Sequence, residues 1–311
     1  MPLGDPQAAR EVHEMEFVIS ASGLSRRYGS RLVVDGLDLQ VRPQTITGFL
    51  GPNGAGKTTT ISLLLGLLKA NAGTAEVLGL PPGHPAALAQ IGALVESPAL
   101  YDHLTGLENL EITRLLRDLP KADVDRVLGL VDLARDAKRP VREYSLGMRQ
   151  RLGVALALLG QPRLLILDEP TNGLDPAGIQ DMRNLIQALP RETGASVFLS
   201  SHLLAEVEQV AQDLVVIHRG KLRYQGPTEQ LGAADQPELM VRVGNANLAR
   251  SILEGQGFAI RETEGRIWIQ APTEDAPRIA ACLVGGGCEL FELAPHKVNL
   301  EARFLALLEE A

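Results

Sequence analysis

The period of apolar positions changes several times along the chain. Two β-like runs, residues 17–24 and 32–41, flank Tyr28, Gly29 and Ser30, and this spacing predicts a hairpin. A short β-like run at 45–50 leads straight into Gly51, and residues 57–68 are apolar at helical spacing, which gives strand, glycine-rich loop, helix. Residues 86–160 read as mainly helical, with helices expected at 105–119, 122–133 and 146–159 and caps at Thr105 and Ser145. Apolar strands return at 164–167, 196–200 and 214–218, separated by helical stretches 176–189 and 203–212, an alternation that predicts a parallel sheet covered on both faces. Beyond Gly226 and Pro227 the order becomes strand, helix, strand, strand, helix, strand, helix from about residue 239 to 311, the order of a small ferredoxin-like α+β domain.

This organisation predicts a tail at residues 1–15, mobile in solution, a main domain at 16–226 and an accessory or regulatory domain at 227–311. A chain of 311 residues accommodates two domains, and 45% apolar with 22% charged residues is the mix of a soluble globular protein. The net charge of −8 and the lack of a Lys/Arg run argue against a nucleic-acid partner. The cysteines, Cys282 and Cys288, form neither a disulfide framework nor a zinc pattern, which fits a reducing compartment. The longest apolar stretches, such as 61–68 and 152–160, fall far short of the roughly 20 residues a membrane-spanning helix needs. With Asp5, Arg10, Glu11 and Glu14 near the N-terminus and no apolar core there, no secretory signal is expected.

Candidate chemistry begins at Gly51-Pro-Asn53-Gly54-Ala55-Gly56-Lys57-Thr58, which fits the phosphate-binding-loop pattern at every fixed position and lies between a strand and a helix, as that pattern requires. Its glycines let successive N–H groups turn inward around phosphates, and the following helix offers its positive end to the same anion. Lys57 is expected to reach the β and γ phosphates of ATP, Thr58 to ligate Mg²⁺, and Thr59 to complete the ATP-binding set. The metal also needs an acid. Leu164-Leu-Ile-Leu-Asp168-Glu169 supplies it at the end of an apolar strand, with Asp168 expected to orient Mg²⁺ and Glu169 to polarise the attacking water.

With these residues in place, the chain resembles the ATP-binding subunits of ABC transporters over about residues 16–226. Ser145-Leu-Gly147-Met-Arg-Gln150 stands where the family's signature loop is expected, Gly173-Leu-Asp175-Pro is similar to its D-loop, and His202 to its switch histidine, a catalytic position. Tyr28 is similar to the aromatic that stacks on adenine. The resemblance implies a P-loop NTPase (RecA-like) core with an N-terminal antiparallel β region and a helical subdomain at about 86–160. It also implies a homodimer in which Ser145, Gly147 and Asp175 of one chain meet the ATP held by the other. Leu146 and Met148 depart from the usual Ser-Gly-Gly-Gln signature, while Ser145 and Gly147 survive. Glu96 stands where the family has a glutamine at the metal site; it is read either as an additional Mg²⁺ contact that bears on coupling or as a solvated loop acid.

Glu96, the Tyr-Ser-Leu-Gly-Met signature and Tyr101-Asp-His-Leu-Thr-Gly-Leu-Glu-Asn109 resemble a subset of ABC-2 type bacterial exporters of drugs, bacitracin-like peptides and lantibiotics; the closing segment from Asn299 to Leu307 fits the same subset. That resemblance implies an ATPase motor attached to the inner face of the cell membrane through a separate transmembrane permease. The permease groove is expected between Glu96 and Gly147, with Leu100, Tyr101 and Leu104 read either as its lining or as core. Two alternatives stand beside it: a soluble ABC ATPase without a membrane partner, and a binder that does not hydrolyse ATP. The first usually carries two motif sets or a coiled coil, and Glu169 with His202 speaks against the second.

Overall fold

The computed structural model describes residues 15–231, 238–263, 266–295 and 300–309; residues 1–14 of the expected tail and Asn299 of the closing segment lie outside the described residues. The chain divides into two compact units, Met1–Thr228 with Leu307–Ala311, and Glu229–Ala306. No helix among the described residues is long and apolar enough to cross a membrane.

The first unit carries β1 (Ile19–Tyr28), β2 (Arg31–Val41), β3 (Ile46–Leu50), β4 (Ala72–Val77), β5 (Ile91–Leu94), β6 (Leu164–Asp168), β7 (Ser196–Ser201), β8 (Asp213–His218) and β9 (Lys221–Pro227). The predicted hairpin forms: β1 and β2 pair antiparallel up to Tyr28 opposite Arg31, and β4 joins on the other side of β1. The main sheet runs β5-β6-β7-β3-β8-β9, parallel from β5 to β8 with β9 antiparallel at one edge. Every residue of β3, β6 and β7 is buried, as expected of strands covered on both faces. From the neighbouring strands β3 and β7, Phe49 and Phe198 pack with ring centroids 5.1 Å apart.

The main helices of this unit are α1 (Lys57–Leu64), α2 (Gly106–Leu116), α3 (Ala122–Leu130), α4 (Leu146–Leu158) and α5 (Pro176–Thr193). Thr105 caps α2 through a reciprocal box with Glu108, and Ser145 caps α4 by accepting from the Met148 N–H at 3.2 Å. The helix expected over 57–68 stops at Leu64, because Gly66 takes a left-handed φ of 73° where a Cβ would stand 2.4 Å from the Gly83 Cα. The helix expected over 203–212 shrinks to the single turn Leu204–Val207, since Gln212 is bonded to Ile46 through its N–H and its side chain and draws the chain into the sheet. Three strands went unread: β4, β5 within the stretch expected to be helical, and β9. Four residues such as Ile-Gly-Ala-Leu in β5 are too few to show a period, and only pairing with β6 defines them.

The second unit folds as β10 (Glu238–Val243), α6 (Ala246–Gly255), β11 (Ile260–Thr263), β12 (Arg266–Gln270), α7 (Ala276–Gly285) and β13 (Leu290–Pro295), with strand order β11-β12-β10-β13, all antiparallel. This is the ferredoxin-like arrangement. Its core packs Leu239, Val241, Ile267 and Ile269 of the sheet against Leu253, Ile279 and Leu283 of the helices.

At Gly92 of β5 an added Cβ would stand 1.9 Å from the Ala157 carbonyl oxygen of α4, so α4 lies directly on the strand backbone. Gly92→Ala is expected to destabilise the chain by about 2 kcal/mol or more, because backbone cannot yield as a side chain can. Chemical denaturation checks this; an unchanged midpoint would show that α4 and β5 have slack between them.

Candidate functional site

The loop after β3 is shaped by two glycines above all. A Cβ at Gly51 would stand 2.4 Å from the Ile217 carbonyl oxygen, and Gly56 takes a φ of 109° with the Val33 oxygen 2.8 Å from where its Cβ would be. Between them Asn53, Gly54 and Ala55 complete the turn, and Ala55 is fixed by its N–H to the Pro52 oxygen at 3.1 Å. α1 starts at Lys57 immediately after Gly56, so the positive end of the helix opens into the loop.

The Lys57 side chain is buried and folds back over the loop. Its Nζ donates to the Gly51 oxygen at 2.8 Å and the Pro52 oxygen at 3.3 Å, and pairs with Glu169 Oε1 at 3.1 Å. Thr58 Oγ1 donates to Asp168 Oδ2 at 2.8 Å. The other Asp168 oxygen accepts from the Ser200 hydroxyl, which in turn accepts from the Glu169 N–H at 3.0 Å. Glu169 takes a left-handed φ of 48°, and its Oε2 lies 2.7 Å from His202 Nδ1. Both of its carboxylate oxygens are therefore engaged. Burial pushes the Glu169 carboxyl up, but the hydrogen bond and charge of Lys57, and then those of His202, outweigh burial and hold it below the usual carboxylate value.

Tyr28 and Thr59 join Gly54, Lys57, Thr58 and Glu169 around one cavity of about 310 Å³. Ser145, Gly147 and Asp175 line a different one of about 460 Å³ with Gly173 and Leu174, and no residue lines both. Asp175 caps α5 by accepting from the Gly178 N–H at 2.8 Å, as Ser145 caps α4. Glu96 lines neither cavity; its side chain is exposed, its φ is 59°, and among the described residues it makes no hydrogen bond or ion pair. Of the three candidate groove residues, Tyr101 is 53% exposed, while Leu100 and Leu104 are half-buried.

Sequence reasoning passed over three residues of the first cluster: Ser200, and the cavity-lining Arg31 and Val33. Ser200 ends an apolar strand in Ser-Ser-His, but only the register that sets it opposite Asp168 reveals its partner.

A family model described as ABC transporter matches residues 34–172. Over 301 residues the chain is 39% identical to the bacitracin transport ATP-binding protein BcrA of Bacillus licheniformis, covering 94% of this chain and 98% of that one. It is 35% identical over 303 residues to the daunorubicin resistance ATP-binding protein DrrA3 of Streptomyces coeruleorubidus, covering 93% of this chain and 95% of that one. Among solved structures, an ATP-binding subunit of an ABC transporter superposes with a TM-score of 0.61 at 28% identity, over 69% of this chain and 91% of that one. With a phosphate loop closed by Lys57 and backed by Asp168 and Glu169, the chain belongs to the ABC transporter family, as an ATP-binding subunit that hydrolyses ATP to power transport.

Proposed function

We propose that two copies of this chain close around two ATP molecules and thereby drive a separate membrane permease that exports a drug or antimicrobial peptide. The observation that carries the dimer is the division of the site: the Lys57 cavity and the Ser145–Asp175 cavity share no residue, so one chain offers two halves that fit two different nucleotides. Export of such a cargo is supported by the relatives, whose names refer to bacitracin transport and daunorubicin resistance.

In this reading Tyr28 supports the adenine, the loop N–H groups of Gly54 and of Gly56 to Thr59 hold the phosphates, and Lys57 meets the β and γ phosphates. Those phosphate oxygens take the place of Glu169 at the Lys57 ammonium, which leaves the Glu169 carboxylate to orient the attacking water while His202 holds its other oxygen. Thr58 and Asp168 offer a hydroxyl and a carboxylate, hard oxygen donors that suit Mg²⁺, and among the described residues no cluster of three or more His, Cys, Asp or Glu competes for a metal. When bound, Mg²⁺ supplies neutralisation of phosphate charge. From the partner chain, Ser145 and the Gly147 N–H reach the γ phosphate and Asp175 lies at the junction of the two sites. Glu96 sits on the exposed turn after β5, where it serves coupling to the permease rather than the chemistry.

The permease is proposed to dock on the helical segment. A cavity of about 1090 Å³, lined by Leu88, Arg117, Leu119 and Pro120 among others, lies beside the end of α2, where Leu115 and Leu116 are 65% and 83% exposed. Tyr101 is held by Asn109, and the next residue, Asp102, pairs with Arg149 of α4 at 2.6 Å, which ties this segment to the signature helix.

Three outcomes are expected. Glu169→Gln retains ATP and elutes as a dimer on gel filtration, whereas Lys57→Ala weakens ATP binding roughly tenfold or more, the loss of a charged hydrogen-bond partner. A Glu169→Gln chain that stays monomeric and turns over normally would sink the proposal. Ser200→Ala lowers the rate of hydrolysis by about tenfold, as Asp168 and the Glu169 N–H lose a shared partner; steady-state ATPase assays measure it, and an unchanged rate removes Ser200 from the site. Leu116→Glu reduces co-purification with the permease, and full recovery of the complex would place the docking surface elsewhere.

A further inference from the structure

Tyr28 ends β1 just before the turn at Gly29 and Ser30, and 45% of its surface is exposed. A ring on such a hairpin tip is free to swing about its two side-chain torsions unless something backs it. Arg26, two positions earlier on β1, lies with its guanidinium carbon 4.7 Å from the centre of the Tyr28 ring, within cation–π range. Tyr28 belongs to the wall of the nucleotide cavity and Arg26 does not, so the guanidinium lies against the ring without lining the cavity.

Arg26 is itself held. It is half-buried, its Nη1 donates to the Lys69 oxygen at 2.9 Å, and its charge meets no carboxylate among the described residues. The same stretch is bonded twice more to the end of β1: the Arg27 N–H donates to Asn71 Oδ1 at 2.8 Å, and the Asn71 N–H to the Ser25 oxygen at 2.8 Å. Residues 69–71 follow the turn that closes α1, so these bonds fix the height of Tyr28 relative to the phosphate loop that begins the same helix.

We propose that Arg26 is a positioning residue for the nucleotide base: its guanidinium backs the Tyr28 ring and sets it in place, and the opposite face of the ring receives the adenine. The inference rests on the reading of Tyr28 as the base platform. Because the ring is ordered before nucleotide arrives, binding is spared that ordering cost. The effect belongs to the base alone, since Arg26 touches neither the phosphate loop nor the carboxylates.

The test is a set of titrations of the full chain with ATP and with inorganic tripolyphosphate, each displacing a fluorescent nucleotide, for the parent, Arg26→Ala, Arg26→Lys, Tyr28→Ala and the Arg26→Ala/Tyr28→Ala double variant. Arg26→Ala is expected to weaken ATP binding about three- to tenfold, the range of a partly exposed cation–π contact, with tripolyphosphate unchanged. In turnover the same variant raises KM for ATP by a similar factor and lowers kcat less than about twofold. Arg26→Lys, which keeps a cation over the ring, stays within about twofold of the parent. The double variant binds ATP no more weakly than Tyr28→Ala, because without the ring Arg26 has nothing to hold. Equal weakening of ATP and tripolyphosphate, full additivity in the double variant, or no change in Arg26→Ala would each overturn the proposal. If Tyr28→Ala binds ATP as the parent does, the platform reading falls and Arg26 with it; if only Arg26→Ala is silent, the platform stands without its support.

Discussion

The site depends on the place of β7 in the sheet. β3 delivers the phosphate loop and β6 delivers Asp168 and Glu169, but the two strands are not neighbours; β7 lies between them, parallel to both. Parallel strands end on the same edge, so the loop, the acids and the residues closing β7 all arrive there together. The end of β7 is bonded to both sides: the Gly51 N–H donates to the Ser201 oxygen at 3.3 Å, and the Glu169 N–H to the Ser200 oxygen at 3.2 Å. Ser200 adds its hydroxyl to Asp168, and His202, just past the strand, adds its ring to Glu169. A slip of one residue in β7 would turn Ser200 away from Asp168 and dismantle the carboxylate pair.

Within that frame the charges satisfy one another. A buried ammonium is costly without partners, and Lys57 has three N–H donors and three acceptors: the Gly51 and Pro52 oxygens and Glu169. A γ phosphate must displace one of these, and the carboxylate is the partner it repels. The loop carbonyls are fixed by backbone geometry, whereas Glu169 retains His202 when Lys57 leaves it. In the proposed mechanism nucleotide entry and release of the Glu169 carboxylate are two sides of one exchange, which would tie readiness for hydrolysis to occupancy of the loop.

Much of this was legible in the sequence because it is local. The phosphate loop, the apolar strand ending in Asp168 and Glu169, the caps at Thr105 and Ser145 and the βαββαβ order of the second unit each depend on neighbours within a few residues. What escaped depends on pairing across long separations. β5 is four residues that acquire meaning only beside β6, β4 and β9 are edge strands with mixed burial, and Ser200 looks like any strand-ending serine until its register with Asp168 is known. Arg26 reads as a surface cation of a hairpin, and its guanidinium over Tyr28 and its bond to the Lys69 oxygen distinguish it from Arg27. Glu96 was legible as a departure from the family pattern, and its exposed, left-handed position follows from no local rule.

The second cluster supports the proposal that the partner is a copy of the same chain. Ser145 and Asp175 each spend a side-chain oxygen on capping their own helix, so within the chain both have a sufficient structural reason to be there. A cap satisfies only part of a helix start, however. With the Met148 N–H taken by Ser145, the first-turn N–H groups of Leu146 and Gly147 have no acceptor within the helix at the positive end of α4, and both residues line a cavity that holds none of the phosphate-loop residues. An anion suits those donors, and in the proposed reading the chain's own triphosphate occupies the other cavity. In the proposed dimer one chain brings an anion holder that lacks the donors of α4 and its partner brings those donors, and a two-fold pair joins each to the other twice.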